Sequence, residues 1–283
     1  MRPVVSPSPA RGRRPALAAP LAAVDESAAT VAYTAPALEK GLDILELLAG
    51  AGESLSQTAI AQRLERSATE LFRMLAVLER RGYVARHGVG GYRLTLRLFE
   101  LAHQHPPLKR LLSVALPAMQ ELAAATRQSN HLVIHFARRI LVVAQVDSPE
   151  PMGFAVRLGA HFPFRPDRAS SRVLSAFQPE PMQRELVAEL LANGSRARSA
   201  ARVREELAGI ARQGFYMAPS DTAEGVTDLC APVFDHSEGA VAALTLPYLR
   251  QRDVAVSVPA ARQSLLATVR RISAGLGAPA TRG

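Results

Sequence analysis

Residues 54–94 hold the feature that most restricts how this chain can fold: two short amphipathic helices, a tight turn between them, and a glycine-rich hairpin. Ser56 is placed to cap the first helix, because its hydroxyl can accept a first-turn amide. Residues 67–70, Ser-Ala-Thr-Glu, have the form of a capping box, so a second helix begins at Ala68. Helices this short persist only when packed on neighbours, and the pattern therefore predicts a helix-turn-helix within a small domain.

The second helix has one apolar side, formed by Leu71, Leu75 and Leu78 at helical spacing. The residues turned outward near its start are Thr69, Glu70, Phe72 and Arg73. In helix-turn-helix proteins this end enters the major groove, where Arg73 could bond a guanine edge and Glu70 a cytosine amino group. The alternatives stay open: Glu70 is only a cap, and Arg73 only a solvated or phosphate-contacting charge.

The hairpin after this helix has the layout of a wing. Residues 83–86 and 92–94 are predicted strands, and the glycines between 88 and 91 supply a turn that needs positive φ. Basic residues on this wing are placed to meet phosphate or the minor groove. The predicted DNA contacts are Ser56, Gln57, Ser67, Thr69, Glu70, Phe72, Arg73, Arg86, His87 and Arg93.

Composition agrees with a polyanionic partner. The 283 residues carry a formal net charge of +9 and a pI of about 10.6, which favours nucleic acid ahead of an anionic membrane. Cys230 is the only cysteine, so an intramolecular disulfide and a cysteine-based zinc cluster are excluded, and a reducing cytoplasm is expected. No apolar run reaches the roughly 18 residues needed to span a bilayer, so no membrane partner is expected.

The segments on either side of the winged helix suggest the boundaries of the domains. Residues 1–36 are rich in Pro, Ala and Arg and have no periodicity that would bury a face, so they are interpreted as a disordered tail. Arg13-Arg14 and residues 16–24 imitate an export signal, but Pro15 and Pro20 interrupt it. Residues 37–49 form a helix that completes a winged-helix domain of residues 37–97. Residues 98–127 are interpreted as a linker helix: helical leucines run to residue 102, the prolines near 106 break the pattern, and a second helical stretch follows from about residue 108.

The remaining residues, 128–277, alternate strands and helices in an order that indicates an antiparallel sheet with helices packed on it, an α+β fold. Strands are predicted at residues 130–136, 140–146, 154–158, 215–217, 227–234 and 240–246. Helices are predicted at residues 169–177, 181–192, 203–213 and 252–276, the last interrupted near Pro259.

Two sets of motifs stand out when they are taken together. The N-terminal set is residues 37–48 (ALEKGLDILELL), 75–83 (LAVLERRGY) and 91–94 (GYRL). The C-terminal set is residues 146–149 (VDSP), 157–159 (RLG), 162–163 (FP), 214–215 (GF), 225–226 (GV), 231–235 (APVFD) and 242–244 (AAL). In both sets the chain resembles the IclR family of bacterial transcriptional regulators. The resemblance implies a DNA-binding winged helix, a linker helix, an effector-binding domain related to the GAF fold, and dimers or tetramers on operator DNA.

The resemblance also implies an effector pocket, in which this chain replaces several of the residues that are usual in the family. Gly159 matches a family glycine, and Ser171-Arg172 stands where Gly-Lys or Gly-Arg is usual. Asp228 occupies a position that usually holds cysteine, and Thr245 matches a family hydroxyl. The predicted effector contacts are Arg157, Gly159, Ser171, Arg172, Asp228, Cys230 and Thr245.

The chemistry of this pocket has two interpretations. Asp228 beside Thr245, with Arg157 or Arg172 within reach, suits a polar or amphipathic ligand that bears a donor or a cationic group. Alternatively, Asp228 pairs with an arginine and only supports the structure. Cys230 is interpreted as a buried inert thiol rather than a redox sensor.

Signals of catalysis and cofactor binding are lacking. The chain has no Gly-x-Ser-x-Gly, phosphate-loop, dinucleotide or HExxH motif, and its histidines lack ligand partners at metal-binding spacing, so neither an enzyme nor a cofactor is expected. The function predicted from the sequence is an operator-binding regulator that senses a small organic effector. The alternatives are a sensor or protein-interaction module whose winged helix does not bind DNA, and a thiol-dependent enzyme that uses Cys230.

Overall fold

The computed structural model describes residues 35–88, 90–104, 106–193, 199–251 and 256–279. The chain divides into two compact units, Met1–Arg97 and Leu98–Gly283. Nearly all of the predicted tail, residues 1–34, lies outside the described residues. Among the helices that are described, none is long and apolar enough to cross a membrane.

The first unit is a winged helix-turn-helix, as predicted. Its elements are α1 (Pro36–Ala51), β1 (Leu55–Ser56), α2 (Gln57–Arg63), α3 (Ala68–Arg80), β2 (Val84–His87) and β3 (Gly91–Leu94). The three strands form an antiparallel sheet in the order β1-β3-β2. Gly52 ends α1 in the left-handed conformation at φ 66°, which glycine adopts without the penalty of a Cβ.

One small core holds this unit together. Ile44 from α1, Ile60 from α2, and Leu71 and Leu75 from α3 are fully buried, and Tyr92 from the wing packs against the same cluster. Burial of each large aliphatic side chain contributes roughly 1.5–3 kcal/mol, so the leucine spacing of α3 decides which side of that helix faces inward.

The second unit is an α+β domain. Its helices are α4 (Arg97–Gln104), α5 (Pro106–Thr126), α6 (Ala169–Ala176), α7 (Glu180–Asn193), α8 (Ala200–Gln213) and α9 (Val258–Leu276). Its strands are β4 (Asn130–Phe136), β5 (Arg139–Val146), β6 (His161–Pro163), β7 (Tyr216–Pro219), β8 (Val226–Phe234) and β9 (Ala240–Leu249). Helix α4 begins at the last residue of the first unit.

The strands form one antiparallel sheet in the order β6-β5-β4-β9-β8-β7, with a core on each face. Helices α5 and α9 cover one face, where Met119 and Leu265 meet Leu132 and Leu244. Helices α6, α7 and α8 cover the other face. The segment predicted as a linker therefore includes α5, a helix that belongs to the core of the second unit.

Two predicted elements differ from the structure. Residues 154–158 do not form a strand. Ala160 N donates to Arg157 O across a turn that contains Gly159 at φ 77°. The chain forms a strand only after this turn, where β6 pairs with β5. Helix α9 begins at Val258 with Pro259 in its first turn, so Pro259 starts the helix and does not interrupt it. Residues 252–255 of that prediction lie outside the described residues.

Candidate nucleic-acid interface and ligand cavity

The start of α3 is fixed by the predicted capping box. Ser67 Oγ accepts from Glu70 N at 3.3 Å, and Glu70 Oε2 accepts from Ser67 N at 3.4 Å. Lys40 Nζ on α1 donates to Glu70 Oε1 at 2.7 Å. The hydrogen bonds from Lys40 and then Ser67 hold the pKa of Glu70 below its ordinary value. Both oxygens of Glu70 are thus engaged within the protein, which favours its interpretation as a cap that positions the helix.

The outward side of α3 is accessible. Thr69, Phe72 and Arg73 are exposed, and Phe72 keeps 53% of its surface in solvent. Within the described residues Arg73 has no side-chain hydrogen bond or ion pair. An unpaired guanidinium beside an exposed aromatic ring and a hydroxyl can contact either a base edge or a phosphate.

Helix α2 is tied to the start of α3. Ser56 Oγ caps α2 by accepting from Ala59 N at 3.2 Å. Gln57 Nε2 donates to Ala68 O at 2.8 Å, which joins the first turns of the two helices. Two ion pairs that the sequence did not reveal hold α1 against this motif: Lys40 with Glu70, and Arg66 with Asp43 at 3.3 Å.

The wing presents two of its three predicted basic residues without internal partners. Arg86 Nε lies 3.2 Å from Glu79 Oε1, and its guanidinium lies 5.6 Å from the Tyr92 ring centroid, so it is partly held by the protein. His87 and Arg93 are exposed, and their side chains form no hydrogen bond or ion pair with the rest of the described chain.

The second unit contains a cavity of about 470 Å³ on the α6 side of the sheet. Its floor comes from β4, β8 and β9, and its walls from the irregular segment after residue 153, the start of α6, and the loop after β7. The lining includes the predicted effector residues Arg157, Asp228 and Thr245, together with His131, Asp167, Arg168, Ser170, Asp221 and Thr222. The apolar lining includes Val133, Ile140, Phe154, Val156, Phe162 and Pro247.

The other four predicted effector residues do not line this cavity. Ser171 is fully buried and its hydroxyl accepts from Arg165 N at 3.2 Å. Arg172 donates to Pro166 O and to the Tyr216 hydroxyl, so Arg168, one helical turn earlier, supplies the guanidinium in the lining instead. Gly159 lies in the turn before β6.

Cys230 lies on the same face of the sheet as the cavity, paired in register with Thr245, and is fully buried. Thr245 Oγ1 donates to Cys230 Sγ at 3.2 Å, and burial raises the pKa of this thiol to about 12. A thiol held in this state cannot supply the thiolate that a nucleophile or a redox sensor needs.

Burial dominates the titration of two residues in the cavity. It raises the pKa of Asp228, and Asp221 adds to this effect, whereas the Ser220 hydroxyl and Arg168 oppose it. Burial lowers the pKa of His131 to about 4, so the imidazole is neutral at physiological pH.

The histidines do not form a metal site in the described part of the chain, where no group of three or more His, Cys, Asp or Glu side chains is arranged to hold an ion. His135 instead lies 3.0 Å from Glu189 and packs on Phe164. His103 and His105 lie where no side chains are described.

Residues 37–88 match the IclR helix-turn-helix domain, and residues 108–274 match the C-terminal domain of the bacterial transcriptional regulator IclR. The chain is 28% identical over 209 residues to the glycerol operon regulatory protein of Streptomyces griseus, covering 73% of this chain and 82% of that protein.

Several solved structures share its fold, two of which follow. An IclR homolog from Microbacterium hydrocarbonoxydans, complexed with 4-hydroxybenzoate, superposes with a TM-score of 0.69 at 21% identity, covering 85% of this chain and 98% of that one. The structure of Pseudomonas aeruginosa HmgR superposes with a TM-score of 0.67 at 25% identity, covering 86% of this chain and 100% of that one.

Proposed function

The chain belongs to the IclR family of bacterial transcriptional regulators, and from that premise we propose that α3 reads an operator in double-stranded DNA while the cavity of the second unit binds the effector that controls this binding. The protein is a DNA-binding regulator with an N-terminal helix-turn-helix and a C-terminal effector-binding domain. Its relatives are regulators and not enzymes, and the buried Cys230 supports the same conclusion here.

One observation supports the DNA-binding proposal: hydrogen bonds within the protein fix the start of α3, while side chains on the outward side of its first turns are exposed. Ser67, Glu70 and Lys40 fix the helix start, while Thr69 and Arg73 stay exposed. A recognition helix needs this combination, because contacts to base edges require side chains that are accessible on a rigid backbone. The exposed His87 and Arg93 of the wing are proposed as phosphate or minor-groove contacts.

A single recognition helix covers one half-site, so we propose that specific binding requires a homodimer or homotetramer on half-sites one or more helical turns apart. The proposed compartment is the cytoplasm, where operator DNA is found. Arg157, Asp228 and Thr245 are proposed as effector contacts because they line the cavity. The proposed effector is a small organic molecule, and the Microbacterium homolog was solved in complex with one such molecule, 4-hydroxybenzoate.

The test is a fluorescence-anisotropy titration of the full chain with DNA from upstream of its own gene. If Arg73 reads a base, Arg73→Ala should weaken operator binding by about 1–3 kcal/mol and leave binding to unrelated DNA nearly unchanged. Arg204→Ala, which removes one exposed charge from α8, is the matched control. Equal loss on both DNAs would assign Arg73 to phosphate.

The same titration separates a regulator from a sensor that does not bind DNA. For a DNA-binding protein, the logarithm of the affinity should fall by about 0.9 per log unit of salt for each phosphate neutralised. Absence of binding, or binding that does not respond to salt, would favour the sensor.

A further inference from the structure

The lining of the cavity presents oxygen atoms that no cation of the described chain contacts. Asp228 on β8 is half-buried and forms no ion pair with any described residue. Asp167 Oδ1, also in the lining, is buried without a hydrogen-bond partner. The Thr245 hydroxyl donates its proton to Cys230 Sγ, which leaves its oxygen lone pairs for a ligand.

The charges of the lining are distributed unevenly. Arg165 neutralises Asp167 from outside the cavity at 2.7 Å, so Asp221 and Asp228 remain opposite Arg157 and Arg168. Both arginines lie on the wall and not on the floor: Arg157 is exposed, and Arg168 lies 4.9 Å from the Phe162 ring centroid. The carboxylate of Asp228 therefore lies on the floor of the cavity without a positively charged side chain in contact with it.

Neighbours of Asp228 on the floor add no positive charge. His131 on β4 pairs in register with Thr245 on β9, so both face the cavity beside Asp228. The imidazole of His131 is neutral near pH 7. An anionic group placed on this floor would meet a carboxylate and lone pairs, whereas a cationic nitrogen would meet several acceptors.

The rest of the lining suits an apolar body. Side chains from β4, β5, β6, β9 and the irregular segment enclose the space, among them Val133, Ile140, Phe154, Phe162 and Pro247. A cavity of about 470 Å³ lies within the range that holds a drug-sized ligand.

We infer that the effector of this protein is an amphipathic amine, whose protonated nitrogen binds Asp228 and the Thr245 oxygen while its apolar part fills the space toward Phe154 and Phe162. This inference rests on the proposed function of the cavity as the effector site. It narrows the effector to a cationic class of ligand. The 4-hydroxybenzoate bound by the Microbacterium homolog carries the opposite charge, on its carboxylate.

The test compares three probes that share one ring and one chain length: 2-phenylethylamine, 2-phenylethanol and phenylacetate. Their binding to the full chain is measured by ligand-observed nuclear magnetic resonance at pH 7. We expect the amine to bind at least about tenfold more tightly than the alcohol, with phenylacetate weakest, because a charge-assisted hydrogen bond is about twice as strong as a neutral one.

Two variants assign the amine to Asp228. Asp228→Asn keeps the shape of the side chain and should weaken the amine about tenfold or more, with little effect on the alcohol. Glu185→Gln, which removes one carboxylate from the exposed face of α7, should have no effect. If Asp228→Asn fails to fold, Asp221→Asn at the exposed rim of the cavity should still weaken the amine by about two- to threefold.

Preference for phenylacetate, equal binding of the three probes, amine affinity unchanged in Asp228→Asn, or no amine binding at about 10 mM would each overturn the inference. The DNA titration described above is independent of these probes. A protein that binds its operator but prefers phenylacetate would retain the proposed function and lose only the amine class. A protein that binds no DNA would lose the proposed function, whatever the probes show.

Discussion

Lowering the pH from 7 to 5 should destabilise the second unit through His131. In the folded protein, burial lowers the pKa of this imidazole from its ordinary 6.5 to about 4. The unfolded chain therefore binds a proton in the window between these values and the folded chain does not. By linkage, stability is full above pH 6.5, falls as the pH decreases toward 4, and becomes flat below that.

The size of the effect follows from the same two values. Crossing the whole window between 6.5 and about 4 corresponds to roughly 3 kcal/mol of unfolding free energy, of which about 2 kcal/mol falls between pH 7 and pH 5. His131 lines the cavity and is partly accessible, so water there can stabilise the charged form. We take about 2 kcal/mol as the upper value.

Urea unfolding of the full chain at pH 7 and pH 5 measures this loss. His131→Gln removes the titrating group and should abolish that part of the pH dependence, whereas His236→Gln, at an exposed position with 78% side-chain accessibility, should retain it. The same pH dependence in His131→Gln as in the wild type would refute the reasoning. So would an imidazole resonance, absent from His131→Gln, that titrates near pH 6.5 in the folded protein.

Three further changes test local features of the two units. Ser67→Ala removes the cap of α3 and should lower the stability of the first unit by about 1 kcal/mol in urea unfolding. Gly91→Ala should cost about 1–3 kcal/mol in the same measurement, because a Cβ there would lie 2.9 Å from His87 O; Gly41→Ala, with open space around it in α1, should be stabilising and is its control. Alkylation of Cys230 in the folded protein should be about a thousandfold slower than that of an ordinary thiol, since its pKa rises from 9.0 to about 12, and rapid labelling without denaturant would contradict its burial.

Features that depend on a few consecutive residues could be predicted from the sequence. The capping box at Ser67 and the N-cap at Ser56 follow from side chains that bond amides three residues away. The β4–β5 hairpin was visible because β-branched runs flank a short turn, in which Ala137 and Arg138 take positive φ. The helical spacing of Leu71 and Leu75, which is also a local feature, correctly predicted that both lie in the core.

Features that depend on a distant partner were harder to predict. The Lys40–Glu70 ion pair joins α1 to α3, and such a contact between separate helices cannot be read from the sequence. The sequence therefore left two interpretations of Glu70 open, a helix cap and a contact to a base. Residues 154–158 have the composition of a strand, but a strand also needs a neighbouring strand with unpaired backbone groups, and composition does not show whether one is present. The edge of β5 pairs instead with β6, which begins at His161.

The cavity shows why a resemblance transfers some residues and not others. Side chains alternate along a regular strand, so alternation alone puts Asp228 and Cys230 on one face of β8, whereas the resemblance was needed to place Asp228 near Thr245 on the neighbouring strand. Residues at the start of α6 depend on where the helix begins, and a shift of one turn exchanges Arg172, held by Tyr216, for Arg168 in the lining. This exchange decides the chemistry, because Arg172 is committed to the protein and Arg168 packs on Phe162, which leaves Asp228 without a cation in contact. A ligand that supplies the missing charge would gain a stronger interaction on this floor than one that repeats the charge already there.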